Sequence, residues 1–440
     1  MFSARSFRPW AQNLRNLTVR AKKTTGRFYF RPGKIASLVS EMIRSPEMDE
    51  AEAVRRQGSL RVPVPTRVGG MGKLAKMASG LVPGVCDVSV TNACNATCDF
   101  CSFARGKGFV RDKRWIDRAG FARALPLLFR RGIRYVNFQG GEPLMHPEID
   151  GLVAAVCQAG MRPSVITNGW RLPQIIERLC DAGLHTLLVS IDSHSMEDHE
   201  RNRGLPGVGE RIRSGLATAR RLGIATLASV TVNRLVEYDE VPDLLQHLGF
   251  DAVTFSYPRR KPFGSSSLVY SENSRLIDFE TAELDRALES IKSLKRRFTV
   301  MNPTASIDDI HRHLHGERET FACVGGHKYF YLDWNLDIWR CEAWTEPLGS
   351  VFDLDRFEDC RDRCTACMMS CYRDTSVLMH AGVAFADAAA AKGHLAKAAG
   401  LLFQRSVALS LYSVAAGARQ ISRLARWRPV SRMMLFLESG

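Results

Sequence analysis

Nine of the twelve cysteines fall into two groups, and thiols gathered this closely usually bind metal or do redox work. The first group is Cys94, Cys98 and Cys101, spaced CxxxCxxC, which puts three thiolates within eight residues. Three thiolates can hold a cubane [4Fe-4S] cluster with one iron left open. An open iron can grip the amine and carboxylate of a small molecule, whereas a four-cysteine site is closed. Zinc is the competing reading, but it favours CxxC pairs with a second pair at a distance.

The second group is Cys323, Cys341, Cys360, Cys364, Cys367 and Cys371, six cysteines in 49 residues. Its last four read CxxxCxxCxxxC, a density that also suits a structural zinc knuckle. Cys86, Cys157 and Cys180 each sit in an apolar run and are expected to be ordinary core packing.

The elements that must position these thiols are legible as alternation. Short β-rich runs at Val85–Val90, Ile133–Phe138, Pro163–Thr167, Thr186–Ile191, Ala225–Val232 and Ala252–Tyr257 are separated by helical patterns. Those patterns lie at Asp117–Arg131, Pro147–Ala159, Leu172–Ala182 and Gly209–Leu222. Strand and helix in turn predict parallel βαβ units, here an open or partial barrel with its site at the carboxyl ends of the strands. Residues 276–300 predict one long amphipathic helix. Tyr329–Cys341 predicts a β-hairpin turning at Trp334–Asn335, packed by Tyr329, Tyr331, Trp334, Trp339 and Trp344. Residues 1–80 read as a basic arm and linker, 81–300 as the barrel, 301–375 as the cysteine-rich extension and 376–440 as an Ala-rich helical tail.

CxxxCxxC directly after the first strand, with Phe100 before the third cysteine, resembles the radical S-adenosylmethionine (SAM) superfamily. The rest of the barrel repeats the likeness in order. Gly140-Gly141-Glu142-Pro143 ends the second strand, Thr167-Asn168-Gly169 the third and Ser190-Ile191-Asp192 the fourth. His199 and Arg203-Gly204 follow. The resemblance implies a partial (βα)6 barrel. It implies a [4Fe-4S] cluster on Cys94, Cys98 and Cys101 whose open iron chelates SAM. Phe100, Gly140, Gly141, Glu142, Asn168, Ser190, Asp192 and Arg203 become the cosubstrate-binding candidates, with Ser190 and Arg203 facing the SAM carboxylate. One-electron cleavage of SAM, fed by a reductant such as flavodoxin or ferredoxin, would yield a 5′-deoxyadenosyl radical. The second group resembles the SPASM extension or its shorter twitch form, although the CxxCx5CxxxC spacing of that extension is not reproduced. One auxiliary [4Fe-4S] cluster is expected, on Cys323, Cys341, Cys364 and Cys367, with Cys360 and Cys371 as alternative ligands.

Charge speaks to partners. The formal net charge is +15 over 440 residues, residues 1–40 carry nine basic side chains and no acid, and Arg423, Arg426, Arg428 and Arg432 crowd the end. Such a balance fits an anionic membrane surface or an acidic ligand. Nucleic acid is not expected, because no recognition helix or basic-aromatic interleaving accompanies the charge. No run reaches the roughly 20 apolar residues that span a bilayer. A cytoplasmic protein with peripheral contact at the inner membrane surface is the expectation. Leu401, Leu402, Val407, Leu409, Leu411, Tyr412 and Val414 between arginines have the composition of an interfacial helix. The substrate is therefore expected to be a lipid or isoprenoid at the membrane. A ribosomally made peptide is the alternative, and a non-catalytic zinc or iron-sulfur regulator the alternative of another class.

Overall fold

A computed structural model describes residues 82–104, 112–257, 274–390, 400–401 and 403–425. The expected N-terminal arm, Leu402 and the arginines from Arg426 onward lie outside the described residues. Six strands run parallel in sequence order: β1 (Gly84–Thr91), β2 (Ile133–Gly140), β3 (Arg162–Thr167), β4 (Thr186–Ile191), β5 (Ala225–Thr231) and β6 (Ala252–Ser256). Helices α1 (Arg118–Arg130), α2 (Ile149–Gln158), α3 (Leu172–Asp181), α4 (Met196–Arg203), α5 (Val208–Arg221) and α6 (Val241–Leu248) connect them. The fold is the expected partial (βα)6 barrel.

Strand side chains alternate between two faces, and here the two faces differ in kind. Val88, Val136, Phe138, Leu187, Val189, Val230 and Phe255 are buried in one core with Phe121, Leu128, Leu152, Ile176 and Leu216 from the helices. Each such side chain contributes roughly 1.5–3 kcal/mol on burial. The opposite face carries Asp87, Ser89, Asn137, Gln139, Ser190, Ser229, Thr254 and Ser256. Ile166, Leu188 and Leu227 share that face, so the barrel encloses a mixed surface on which polar side chains predominate rather than a second apolar core.

The sheet continues on the other side of β1. Strand β7 (Tyr329–Leu332) pairs parallel with β1, then β8 (Asp337–Trp339) and β9 (Gly349–Ser350) follow antiparallel. The predicted hairpin is therefore present, as an extension of the barrel sheet. Asp333 builds its turn by accepting from the amides of Asn335 and Asp337 and from the Trp339 indole, while Leu336 takes a positive φ of 66°.

The long helix expected over 276–300 is shorter. Helix α7 spans Thr281–Leu294, and Val300 then pairs with Val253 on the open edge of β6. The β-branched pair Thr299-Val300 satisfies edge groups of β6 that would otherwise face solvent. Helix α8 (Thr304–Leu314) follows, and α9 (Ser370–Ala390) and α10 (Arg405–Ala425) pack on each other. Cys86 is buried as expected. Cys157 is not: it sits on the solvent face of α2, one residue after buried Val156, where the helical period turns it outward.

Candidate functional site

The first cysteine group begins three residues after β1 ends, at the carboxyl end of the parallel sheet. Its loop is fixed by backbone rather than by the thiols. The amide of Gly141 donates to Thr91 and that of Glu142 to Ala93, both at 2.8 Å, so the end of β2 grips the chain entering the loop. Asn168, after β3, donates to the Asn95 side chain at 2.8 Å, and the Thr97 amide donates to the Arg203 carbonyl, also at 2.8 Å. The ends of β2 and β3 together with α4 therefore hold the eight-residue loop.

The two glycines have a reason other than room for a cosubstrate. A Cβ on Gly140 would stand 2.4 Å from the Thr91 oxygen, and one on Gly141 would stand 2.1 Å from the Ala93 oxygen. Gly140 also holds φ +118°, a region where side chains are strained. Their neighbour is the cysteine loop itself. Gly141→Ala is expected to push Ala93, and with it Cys94, out of place while leaving the barrel folded. A displacement near 1 Å costs about 100-fold in rate, so SAM cleavage should fall by about that factor with iron content near normal. Unchanged cleavage by this variant would mean that the loop position is not critical.

Glu142 is buried and accepts three hydrogen bonds, from the Leu144 amide (3.0 Å), the Thr167 hydroxyl (2.6 Å) and the Asn168 amide (2.7 Å). Burial pushes its carboxyl up and these donors pull it back. Asp192 and Arg203 form a buried ion pair at 2.6 Å. Burial alone would raise Asp192, but the Arg203 guanidinium, with His199 beside it, holds it below the usual range. Ser190 is half-buried on the inner face of β4, and Phe100 is buried against Ile277.

The thiols themselves are close enough to feel one another. Burial pushes Cys94 up to about 12, with Glu142 and Cys101 adding to the rise. Burial likewise raises Cys98 well above a free thiol, against the pull of Arg203. Bare thiolates are thus disfavoured there, whereas iron bound to the three sulfurs would stabilise them. The donor set fits a cluster with three protein ligands.

His199 is wholly buried, and its Nδ1 accepts the Asp192 amide at 3.0 Å. Burial lowers its pKa to about 4. The unfolded imidazole, near 6.5, takes a proton that the folded one refuses. Its stabilising contribution is complete above pH 6.5 and is lost as pH falls from 6.5 toward 4, on the order of 3 kcal/mol. Urea unfolding at pH 7.5 and 5 should show about 2 kcal/mol of this loss, and His199→Asn, which keeps an acceptor, should shrink it. A loss of the same size in the variant would assign the slope to other groups.

In the second group five thiols approach one another, because Cys371 interacts with Cys367 as the expected four do. Cys323 interacts with Cys364 and Cys367, and Cys341 with Cys367 and Cys323. Burial raises both Cys323 and Cys341, the latter to about 12. Cys360 lies against Gly326 and Arg340, and Cys371 lies on the barrel side, where its sulfur is within 4.8 Å of Asp87 and Glu342. The chain entering Cys323 is pinned from behind: Asp309 accepts from the Thr320 and Phe321 amides, and buried Arg373 donates to the Phe321 carbonyl at 2.7 Å.

Sequence reasoning missed the carboxyl pair that joins the two regions. Asp87 on β1 accepts from Asn137 (2.8 Å) and from the Tyr329 hydroxyl (2.9 Å), and Gln139 donates to Glu342 at 2.5 Å. Burial raises both carboxyls, and Asp87 beside it adds to the rise of Glu342, which stands well above its ordinary value. An acid in the apolar run Val85–Val90 was the available signal.

Residues 88–256 match the radical SAM superfamily. The AdoMet-dependent heme synthase of Methanosarcina barkeri is 27% identical over 262 residues, covering 57% of this chain and 74% of that protein. The probable GTP 3',8-cyclase of Pyrobaculum aerophilum is 27% identical, covering 42% of this chain and 59% of that protein. The GTP 3',8-cyclase of Mycobacterium marinum is 34% identical, covering 34% and 41%. The chain thus spans less than two thirds of either cyclase. Among solved structures, Streptococcus suis SuiB bound to S-adenosylmethionine aligns at TM-score 0.49 and 14% identity, over 81% of this chain and 77% of that one. Native anSMEcpe with bound AdoMet aligns at TM-score 0.47 and 12% identity, over 78% and 100%. With its cysteine loop held at the carboxyl ends of a parallel sheet, the chain carries a radical SAM domain over residues 88–256 and is an enzyme that works with a [4Fe-4S] cluster and S-adenosylmethionine.

Proposed function

We propose that Cys94, Cys98 and Cys101 hold this cluster and that its open iron takes the amine and carboxylate of SAM at the mouth of the barrel. The observation that carries the reading is the trio of mutually interacting thiols above a polar inner sheet face. When bound, cluster and SAM together supply a 5′-deoxyadenosyl radical. The chain's own part is to hold the loop in register: Gly140 and Gly141 by close approach, Glu142 by fixing the end of β3, Asn168 by its bond to Asn95, and Arg203 by the charge it sets beside Cys98 and Cys94. Ser190, half-buried on β4, would meet the SAM carboxylate together with Arg203. Cys323, Cys341, Cys364 and Cys367 would hold an auxiliary cluster, and four protein ligands would suit it to electron transfer rather than to substrate binding.

The substrate we propose is a lipid-like molecule reached at a membrane surface, and helix α10 supports this. Its serines face inward: the Ser406 hydroxyl meets the His380 ring at 2.9 Å and that of Ser410 accepts the Ala381 amide at 3.0 Å. Its large apolar residues Leu411, Tyr412 and Val414 face outward, with Phe403 89% exposed ahead of them. Val407 and Leu409, read from sequence as part of that surface, pack inward instead. An outward apolar stripe between Arg405 and Arg419 suits an anionic interface. Among the described residues no helix is long and apolar enough to cross a membrane. A second reading, a peptide substrate, is favoured by the polar inner face, which offers backbone amides more partners than it offers a hydrocarbon.

Two assays test these readings. Anaerobically reconstituted protein given SAM and dithionite should release 5′-deoxyadenosine; none at all would favour a non-catalytic metal regulator. The same protein should pellet with phosphatidylglycerol vesicles in moderate salt, and Leu411→Ser with Tyr412→Ser should abolish pelleting. No pelleting even at low salt would leave the peptide reading.

A further inference from the structure

Away from the cysteines, α7 and α8 bring three ligand-type side chains to one point. His311 and His315 lie one turn apart on α8, and their rings stand 4.6 Å apart. Asp285 reaches them from α7. Its Oδ2 lies 2.9 Å from His315 Nε2 and its Oδ1 lies 3.3 Å from His311 Nε2. Three ligand atoms, one from each residue, fall within 4.8 Å of one another. Tetrahedral zinc, with bonds of about 2.0–2.1 Å, needs ligand atoms about 3.3 Å apart, so little movement is required.

Hydrogen bonding alone does not complete the cluster. His315 pairs with Oδ2, but Oδ1 is screened from solvent and has no hydrogen-bond partner, because His311 stands near it outside hydrogen-bond geometry. A screened acceptor left unmet costs about 1–3 kcal/mol. A cation between Oδ1 and the two imidazoles removes that cost and satisfies His311 as well. Two imidazoles and one carboxylate select zinc or a similar transition ion over calcium or magnesium, which prefer all-oxygen sites.

We infer that Asp285, His311 and His315 form a binding site for a divalent transition-metal cation, with zinc the best fit and solvent completing its coordination beside exposed His315. The ion ties α7 to α8. Helix α8 carries Asp309, which pins the chain entering Cys323, so the site braces the cysteine-rich region without touching the barrel mouth. His313 lies on the same helix but pairs with Glu319 at 2.9 Å and takes no part.

The test is calorimetric titration of zinc chloride into anaerobically reconstituted full-length protein, with cluster absorbance followed in parallel. One saturable event with unchanged cluster absorbance is expected, together with a rise in melting temperature. Asp285→Asn and His315→Ala should each weaken it by at least about 100-fold, above the 10–100-fold that the loss of an outer-shell partner costs. His313→Ala should leave it intact. Where a variant loses iron or helicity, His311→Gln, which keeps side-chain bulk, replaces it in the comparison. No saturable event, an equal event in Asp285→Asn, loss of the event in His313→Ala, or zinc uptake in step with bleaching of the clusters would each overturn the assignment.

Discussion

Protein with Cys94, Cys98 and Cys101 all replaced by alanine is expected to fold, to bind about four fewer irons, and to release no 5′-deoxyadenosine. The fold should survive because the loop does not depend on its sulfurs. The Glu142 amide holds Ala93, Asn168 holds Asn95, Arg203 holds Thr97 and Asn202 accepts the Asp99 amide. The rate should fall to background, a loss of at least about 10⁶-fold, the lower end of ordinary enzymatic acceleration. Alanine at Cys364 and Cys367 should remove iron from the other group and leave SAM cleavage in place, because those thiols serve a different cluster. Full iron content and continued cleavage in the triple variant would sink the assignment of the first group.

The barrel was legible because its strands are buried on one face by helices with a clear apolar stripe. All six strands and four of the six intervening helices, α1, α2, α3 and α5, fall within about two residues of where periodicity placed them, whereas α4 and α6 were not expected from the sequence. Period failed where a tertiary partner decided the outcome. Thr299 and Val300 read as the end of a helix, yet the open edge of β6 draws them into extended pairing. Helix α10 has apolar residues all round, so sequence could not say which would face out. The inward serines, bonded to His380 and to the amide of Ala381, settle the orientation.

At the site, residue types and order were legible and contacts were not. Gly140 and Gly141 were read as cosubstrate-binding candidates, and their close neighbours among the described residues are Thr91 at the end of β1 and Ala93 of the cysteine loop. His199 and Arg203 look like loop charges in sequence but are buried, each against Asp192. The Asp87–Glu342 pair joins residues 255 positions apart, and no local pattern can announce such a contact.

Arg203→Met is expected to destabilise the protein by about 3–5 kcal/mol, because it leaves Asp192 charged and buried without its partner. Asn202 would still donate to Asp192 at 2.9 Å, but a neutral amide does not replace a guanidinium. Asp192→Asn in the same chain removes the stranded charge and should recover most of the loss, which urea unfolding of both single variants and the double would measure. The double variant also separates two roles for Arg203. If the arginine only supports the end of β4, the double should bind SAM and cleave it almost as the parent does. If its charge also acts on the cosubstrate or beside the thiols of Cys98 and Cys94, stability should return without cleavage, and KM for SAM should stay raised. The buried Nε of Arg203, which has no partner among the described residues, favours the second outcome. Parent-like stability in Arg203→Met alone would show that Asp192 is not held charged by this pair, and the electrostatic account of the site would fail with it.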